Sequence, residues 1–275
     1  MISIVFAYYN RRNLLITTIN SIVKSKCNNL ELVIVDDGSD EINRIDDLNV
    51  LFPTLDINVI RIEKNKKWWT NPCIPFNIGF HFAKGDTVVI QNPECLHIGD
   101  VLKYVEDNIA LNKYIVFNCY AIDNLKTNFI SGLDPNSSDY FNKIIHILNP
   151  TNNVPTSQVH GGNKWYQHPK FNPGYINFCT AITKSDLDDL GGFDEQYAKG
   201  IAKDDREFIL RVRRKGMLID PVNSPFVIHQ WHRPFSYSDR VRVERNNKLY
   251  ADLEKNKEYK VFNKLIKELV EAVIS

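Results

Sequence analysis

The sequence carries almost no surplus of charge: 34 Lys and Arg stand against 33 Asp and Glu, a formal net charge of +1. A dedicated nucleic-acid binder shows a basic excess or stripe, so no nucleic acid is expected among the partners. Cysteine is scarce and unpaired in pattern. Cys27, Cys73, Cys95, Cys119 and Cys179 are odd in number, scattered, and never spaced CxxC. That excludes a disulfide frame or zinc cluster and reads as free thiols in a reducing compartment. No apolar run approaches the roughly 18 residues of a membrane span, so no transmembrane segment is expected. The opening MISIVFAYYN lacks the basic start and long apolar run of a secretory signal. A cytoplasmic protein is expected, with peripheral membrane contact left open by the C-terminal helix. Repeats and low-complexity tracts are also missing. Hydrophobic residues at 43% and charged residues at 24% are ordinary globular usage, which excludes a disordered or fibrous chain. The 275 residues allow one large α/β domain, or one with a long insertion.

Short apolar runs alternate with helical patterns through the first 120 residues. Ile2–Ala7, Leu30–Val35, Ile57–Ile62, Thr87–Gln91 and Tyr114–Ala121 read as strands buried on both faces. Arg11–Lys24, Cys73–Ala83 and Gly99–Leu111 read as helices, with Pro72 and Pro75 confined to the first turn of the second. Such alternation implies right-handed crossovers and a largely parallel sheet, with ligands at the carboxyl ends of its strands. Residues 123–173 are rich in Asn, Pro, Ser and Gly and irregular apart from Phe141–Leu148, as expected of a lid or binding loop. Order returns with a strand over Tyr175–Thr183, a helix over Ser185–Leu190 capped by Ser185, a helix over Asp204–Lys215 and a strand over Val222–Gln230. From about Ser238 the chain is charged and helical, ending in the amphipathic stretch Val261–Val273.

Polar clusters follow the first, second and fourth strands. Asp36-Asp37-Gly38-Ser39-Asp40 places three carboxylates at a buried strand's end; they either accept hydrogen bonds from a base edge or cap a helix. Ala7-Tyr8-Tyr9-Asn10-Arg11 offers a ring to stack on a base and an Arg to meet a phosphate, or an ordinary turn. No glycine occurs in that turn, which argues against a nicotinamide-dependent oxidoreductase. The loop Val159–His168 combines glycines with Trp165 and Tyr166, which stack on a sugar or simply bury a Trp. Trp68-Trp69 is a second aromatic pair, near the nucleotide edge or in the core. Arg240, Arg242 and Arg245 beside Tyr237 either meet a phosphate or lipid or form a solvated helix face, the blander reading being preferred.

Together ISIVFAYYNR, ELVIVDDGSD, Phe76-Asn77-Ile78-Gly79 running to Gly85-Asp86, and Gly191-Gly192-Phe193-Asp194-Glu195 followed by Asp204-Asp205 resemble the family-2 glycosyltransferases of the GT-A fold. The order of four motifs from Ile2 to about His229 carries the resemblance, and the last forty or so residues lie outside it. The resemblance implies an α/β, Rossmann-like, mostly parallel central sheet flanked by helices, with a C-terminal helical extension. The expected division is a transferase domain over 1–235, with a nucleotide-binding half 1–121 and an acceptor half 122–235, and an extension over 236–275.

The implied activity is inverting transfer of a hexose from a nucleotide diphosphate sugar, UDP-linked by preference, to a hydroxyl on a glycan, lipid or protein. Its nucleotide site comprises Ala7, Tyr8, Tyr9, Arg11, Asp36, Asp37, Asn71 and Asn92, with Asp37 on the base. Asp205 is the implied catalytic base and Asp204 its alternative; at a helix N-terminus the dipole is expected to keep them ionised. Trp165, Tyr166 and Asp194 are assigned to the sugar or acceptor. The metal motif departs from the family. Gln91-Asn92-Pro93-Glu94 follows the fourth strand, so Glu94 takes the metal carboxylate's place and Asn92 replaces the other acid. His229, 24 residues after Asp205, is the implied second ligand, with His232 and more weakly His97 behind it. Imidazole favours Mn²⁺ over Mg²⁺ as the cofactor. The departure also leaves open a degenerate transferase that binds nucleotide sugar without turnover.

Overall fold

A computed structural model describes residues 1–148, 163–233, 238–255, 257–263, 268, 270 and 271. His160, Gly161, Gly162, Tyr237 and most of Val261–Val273 lie outside the described residues. In chain order the elements are β1 (Ile2–Tyr8), α1 (Arg12–Ile22), β2 (Leu30–Asp36), a single turn α2 (Leu48–Leu51), β3 (Asp56–Arg61), α3 (Cys73–Phe82), β4 (Thr87–Gln91), β5 (Cys95–Ile98), α4 (Val101–Asn108) and β6 (Lys113–Ala121). They continue with α5 (Asn124–Ser131), α6 (Tyr140–Leu148), β7 (Lys164–Gln167), β8 (Cys179–Thr183), α7 (Lys184–Leu190), α8 (Asp204–Arg214), β9 (Leu218–His229) and α9 (Arg240–Glu254). The strands form one sheet in the order β3-β2-β1-β4-β8-β6-β9-β5, with β7 beside β6. The β3-β2-β1-β4 half is wholly parallel. Beyond β4 the pairings are antiparallel except for β6 with β9.

Both faces of the sheet are covered. In β1, Ile2, Ile4, Phe6 and Tyr8 join the core beneath α1 and α4, and Val5 joins the opposite core with α3, α7 and α8. This period of two follows from the pleat. On the second face α3 approaches β1 so closely that a Cβ on Gly79 would fall 2.3 Å from Val5 Cγ1. A third core, under β5, β9 and the end of β6, gathers Ile130 of α5 with Ile144 and Leu148 of α6. The irregular reading of 123–173 is therefore corrected: α5 and β7 lie within it besides α6. The strand expected from Tyr175 begins at Cys179, since Tyr175 sits at φ +58° and cannot extend it. Thr183, not Ser185, caps α7 by accepting from Asp186 N. All five cysteines are buried and unpaired.

Candidate active site

At the carboxyl end of β2 the acidic turn divides its work. Asp36 is 1% exposed; its Oδ1 accepts from Ser39 N at 2.9 Å and its Oδ2 from Arg61 Nη1 at 2.8 Å. Both of its oxygens are engaged in building the turn. Asp37 instead meets a later segment: Trp69 Nε1 donates to Oδ1 at 2.8 Å and Lys67 Nζ to Oδ2 at 2.6 Å. Burial pushes the Asp37 carboxyl up against the opposing pull of Lys67 and Trp69. Lys67 also lies 4.6 Å from the ring centre of Tyr9, which is exposed. Tyr8 does not belong to this group. Strand alternation turns it away from Ala7 into the α1-side core, where its hydroxyl donates to Asn43 O at 2.6 Å. Burial raises that hydroxyl to about 12.

The β4–β5 connection carries the second cluster. β5 and β9 run antiparallel with Cys95 opposite His229, so Glu94 is brought beside that imidazole. Glu94 Oε1 lies 3.2 Å from His229 Nε2 and 3.4 Å from His232 Nε2, and Oε2 accepts from Arg11 Nη1 at 2.8 Å. Burial alone would raise the Glu94 carboxyl, but Arg11 and the two histidines hold it well below its ordinary range. Gln230 anchors the strand end: its amide nitrogen donates to Leu14 O, Thr18 Oγ1 and Glu94 O. The ligand atoms of Glu94, His229 and His232 lie within 4.8 Å of one another. One carboxylate with two imidazoles fits a divalent transition ion better than Mg²⁺. His97 is not part of the group; it is buried against Gln91 Oε1 at 2.9 Å, and burial drives its pKa down to about 3. Asn92 is half-buried and held by its backbone to Phe178 and Cys95. The rings of Tyr166 and Phe178 stand 5.0 and 5.7 Å from His229. Trp165, its neighbour on β7, faces the other way and packs on Tyr120 at 4.9 Å. Only Tyr166 of that pair adjoins the site.

The third cluster opens α8. Ala202 and Lys203 precede it at φ +60° and +74°, each costing about 1–2 kcal/mol in a non-glycine residue. Asp204 is buried, and its Oδ1 accepts from Asn71 Nδ2 at 2.7 Å. Asn71 Oδ1 in turn accepts from Cys73 N at 2.9 Å. Asn71 thus holds Asp204 and also accepts from the first amide of α3, and it follows Trp69 by two residues. The segment Lys67–Asn71 therefore ties the Asp37 end to the Asp204 end. Expected ionisation at the helix N-terminus is corrected for Asp204. A dipole worth about 0.3–1 kcal/mol is outweighed by burial and by the charge of Asp205, and its pKa rises to about 7. Asp205 is half-buried; burial also raises its carboxyl, against hydrogen bonding from Arg206 N and the charges of Arg206 and Lys203. Asp194 is buried and caps the next turn by accepting from Gln196 N at 2.9 Å. Asn77 exchanges two hydrogen bonds with the Phe193 backbone, both at 2.8 Å, and so joins the Asn-x-Gly helix to the Gly-Gly-Phe segment. Lys67, the partner of Asp37, is the site residue that sequence reading missed; Trp68-Trp69 was the nearest signal.

A sheet that collects acids and imidazoles at the ends of β2, β4 and β9, beside Tyr9 and Arg11 after β1, defines an α/β protein with a polar site at its strand ends. The description "Glycosyl transferase family 2" matches residues 3–171, and the chain belongs to that family. A curated relative, chondroitin synthase of Escherichia coli, is 27% identical over 252 residues. The match covers 83% of this chain and 34% of that protein, so the chain spans about a third of the relative's length. Among solved structures, S. aureus TarS 1-349 matches with a TM-score of 0.56 at 14% identity, over 83% of this chain and 60% of that one. The structure of GalNAc-T7 with UDP, GalNAc and Mn²⁺ matches with a TM-score of 0.56 at 15% identity, over 92% and 48%. The fold is that of the GT-A glycosyltransferases. No described helix is long and apolar enough to cross a membrane.

Proposed function

We propose that the chain transfers a hexose from a UDP-linked sugar to an acceptor hydroxyl with inversion. The observation that carries this reading is the convergence of Glu94, His229 and His232 beside the strand ends, in a chain of this family. Asp37, held by Trp69 and Lys67, accepts from the base; Tyr9 and Arg11 flank the nucleotide. Asp204 and Asp205 form an acid pair whose environments differ. Asp204, raised to about 7, keeps its proton to higher pH and leaves the negative charge on Asp205. Asp205 takes the proton of the acceptor hydroxyl as its oxygen attacks the anomeric carbon and the bond to the diphosphate breaks. Such a base is worth about 10²–10⁴ in rate. Glu94, His229 and His232 would hold Mn²⁺ or Mg²⁺, which supplies Lewis-acid neutralisation of a diphosphate. The TarS structure with UDP-GlcNAc supports a donor of this class.

A second reading has its own observation. Arg11 already occupies one Glu94 oxygen and Asn92 brings no charge, as in a protein that binds nucleotide sugar without turning it over. A panel of nucleotide sugars scored for hydrolysis and transfer separates the two: turnover of a UDP-hexose supports transfer, and binding without turnover supports the second reading.

A further inference from the structure

The loop that leads into Asp204 is held on its outer side by the C-terminal helix. Asn246 of α9 is fully buried. Its Nδ2 donates one hydrogen to Tyr197 O at 3.1 Å and the other to Ala202 O at 2.9 Å, and its Oδ1 accepts from Arg245 Nη1 at 3.0 Å. Gly200 packs on this amide so tightly that a Cβ would fall 2.0 Å from Asn246 Oδ1. Neighbouring bonds repeat the pattern: Arg245 Nη1 donates to Gln196 O at 2.8 Å, and Ile201 N donates to Arg242 O at 3.2 Å. On the inner side, Thr70 N and Asn71 N both donate to Ala198 O. The same Asn71 holds Asp204.

The loop ends in two left-handed non-glycine residues directly before Asp204. Such conformations persist only where the surroundings over-determine them. Apolar packing alone would suffice to dock a helix for stability. Leu249 and Tyr250 of α9 do pack on the core, and the helix adds to that a buried amide whose two donors are both spent on the backbone of this one loop. We infer that α9 is a positioning element of the transfer site, and that Asn246 is the positioning residue through which it sets the Asp204–Asp205 turn. The inference rests on the proposed role of that acid pair.

The test uses the full chain with Asn246→Ala and Gly200→Ala. Hydrogen exchange of the amides of residues 199–205 should quicken about tenfold or more in Asn246→Ala, while β1, β2 and β4 stay as protected as before. With a UDP-hexose donor, kcat should fall about tenfold or more while the Kd for UDP stays within about twofold. Gly200→Ala should act alike alone and add little on top of Asn246→Ala, because the atom it strikes is gone. If Asn246→Ala fails to fold, Asn246→Ser and Gly200→Ala carry the same comparison. Unchanged kcat, or kcat and UDP affinity falling together with faster exchange throughout the sheet, overturns the inference. A wild-type chain with no turnover sinks the transfer reading instead. Exchange at 199–205 then decides the brace by itself, unaltered protection in Asn246→Ala counting against it.

Discussion

Replacing Asp204 by Asn should make the protein more stable, and more so at high pH. The carboxyl has its pKa raised from 3.8 to about 7 by burial and by Asp205. Unfolding releases it to water, so between these values the native state binds more protons than the unfolded one. Stability then falls as pH rises through that window. The penalty is absent below the unfolded pKa and complete above about 7. A shift of about 3 units corresponds to about 4 kcal/mol at full ionisation. Of this, about 2–3 kcal/mol develops between roughly pH 5 and pH 8. Asn is isosteric and its Oδ1 can still accept from Asn71 Nδ2, so the substitution removes the charge while leaving the hydrogen bond in place. Urea midpoints for both proteins at the two pH values give the comparison. A stability difference independent of pH, or a variant less stable at the higher pH, refutes the assignment of a strained, proton-holding carboxyl.

Asp205→Asn should cut turnover by about 10²–10⁴ and leave UDP affinity nearly unchanged; steady-state kinetics beside a UDP titration show whether the two separate. Trp69→Phe removes the donor that meets Asp37 Oδ1 at 2.8 Å. It should weaken UDP binding by about 1.5–2 kcal/mol, read by calorimetry, and equal affinity would detach Trp69 from the base site. Gly79→Ala drives a methyl into Val5 Cγ1 and should cost about 1–3 kcal/mol in thermal or urea unfolding.

The buried parallel half was legible because β1, β2 and β4 are almost continuously apolar, broken only by Ser3, Glu31 and their terminal residues, as a strand covered on both faces requires. Strand β5 was not, since Cys95–Ile98 is four residues long and begins two residues after Pro93. Helix α5 escaped because only Thr127 and Ile130 of Asn124–Ser131 are buried, too few to mark a period. Glu94, His229 and Asp204 could be nominated by spacing within motifs. The pairings could not be read: Asn71 reaches Asp204 across 133 residues, Arg11 reaches Glu94 across 83, and Trp69 reaches Asp37 across 32. Tyr8 shows another limit: it sits within the motif, but the pleat sends its side chain to the α1-side core, away from Tyr9 and Asp37.

In the proposed reaction Glu94 and its two histidines would hold a cation against the nucleotide. Titrating UDP into the protein with and without Mn²⁺, and again into Glu94→Ala, tests this directly. Mn²⁺ should tighten UDP by about tenfold or more, a coupling of about 1.4 kcal/mol or greater, and Glu94→Ala should abolish that gain. An affinity for UDP indifferent both to Mn²⁺ and to the loss of Glu94 would contradict it.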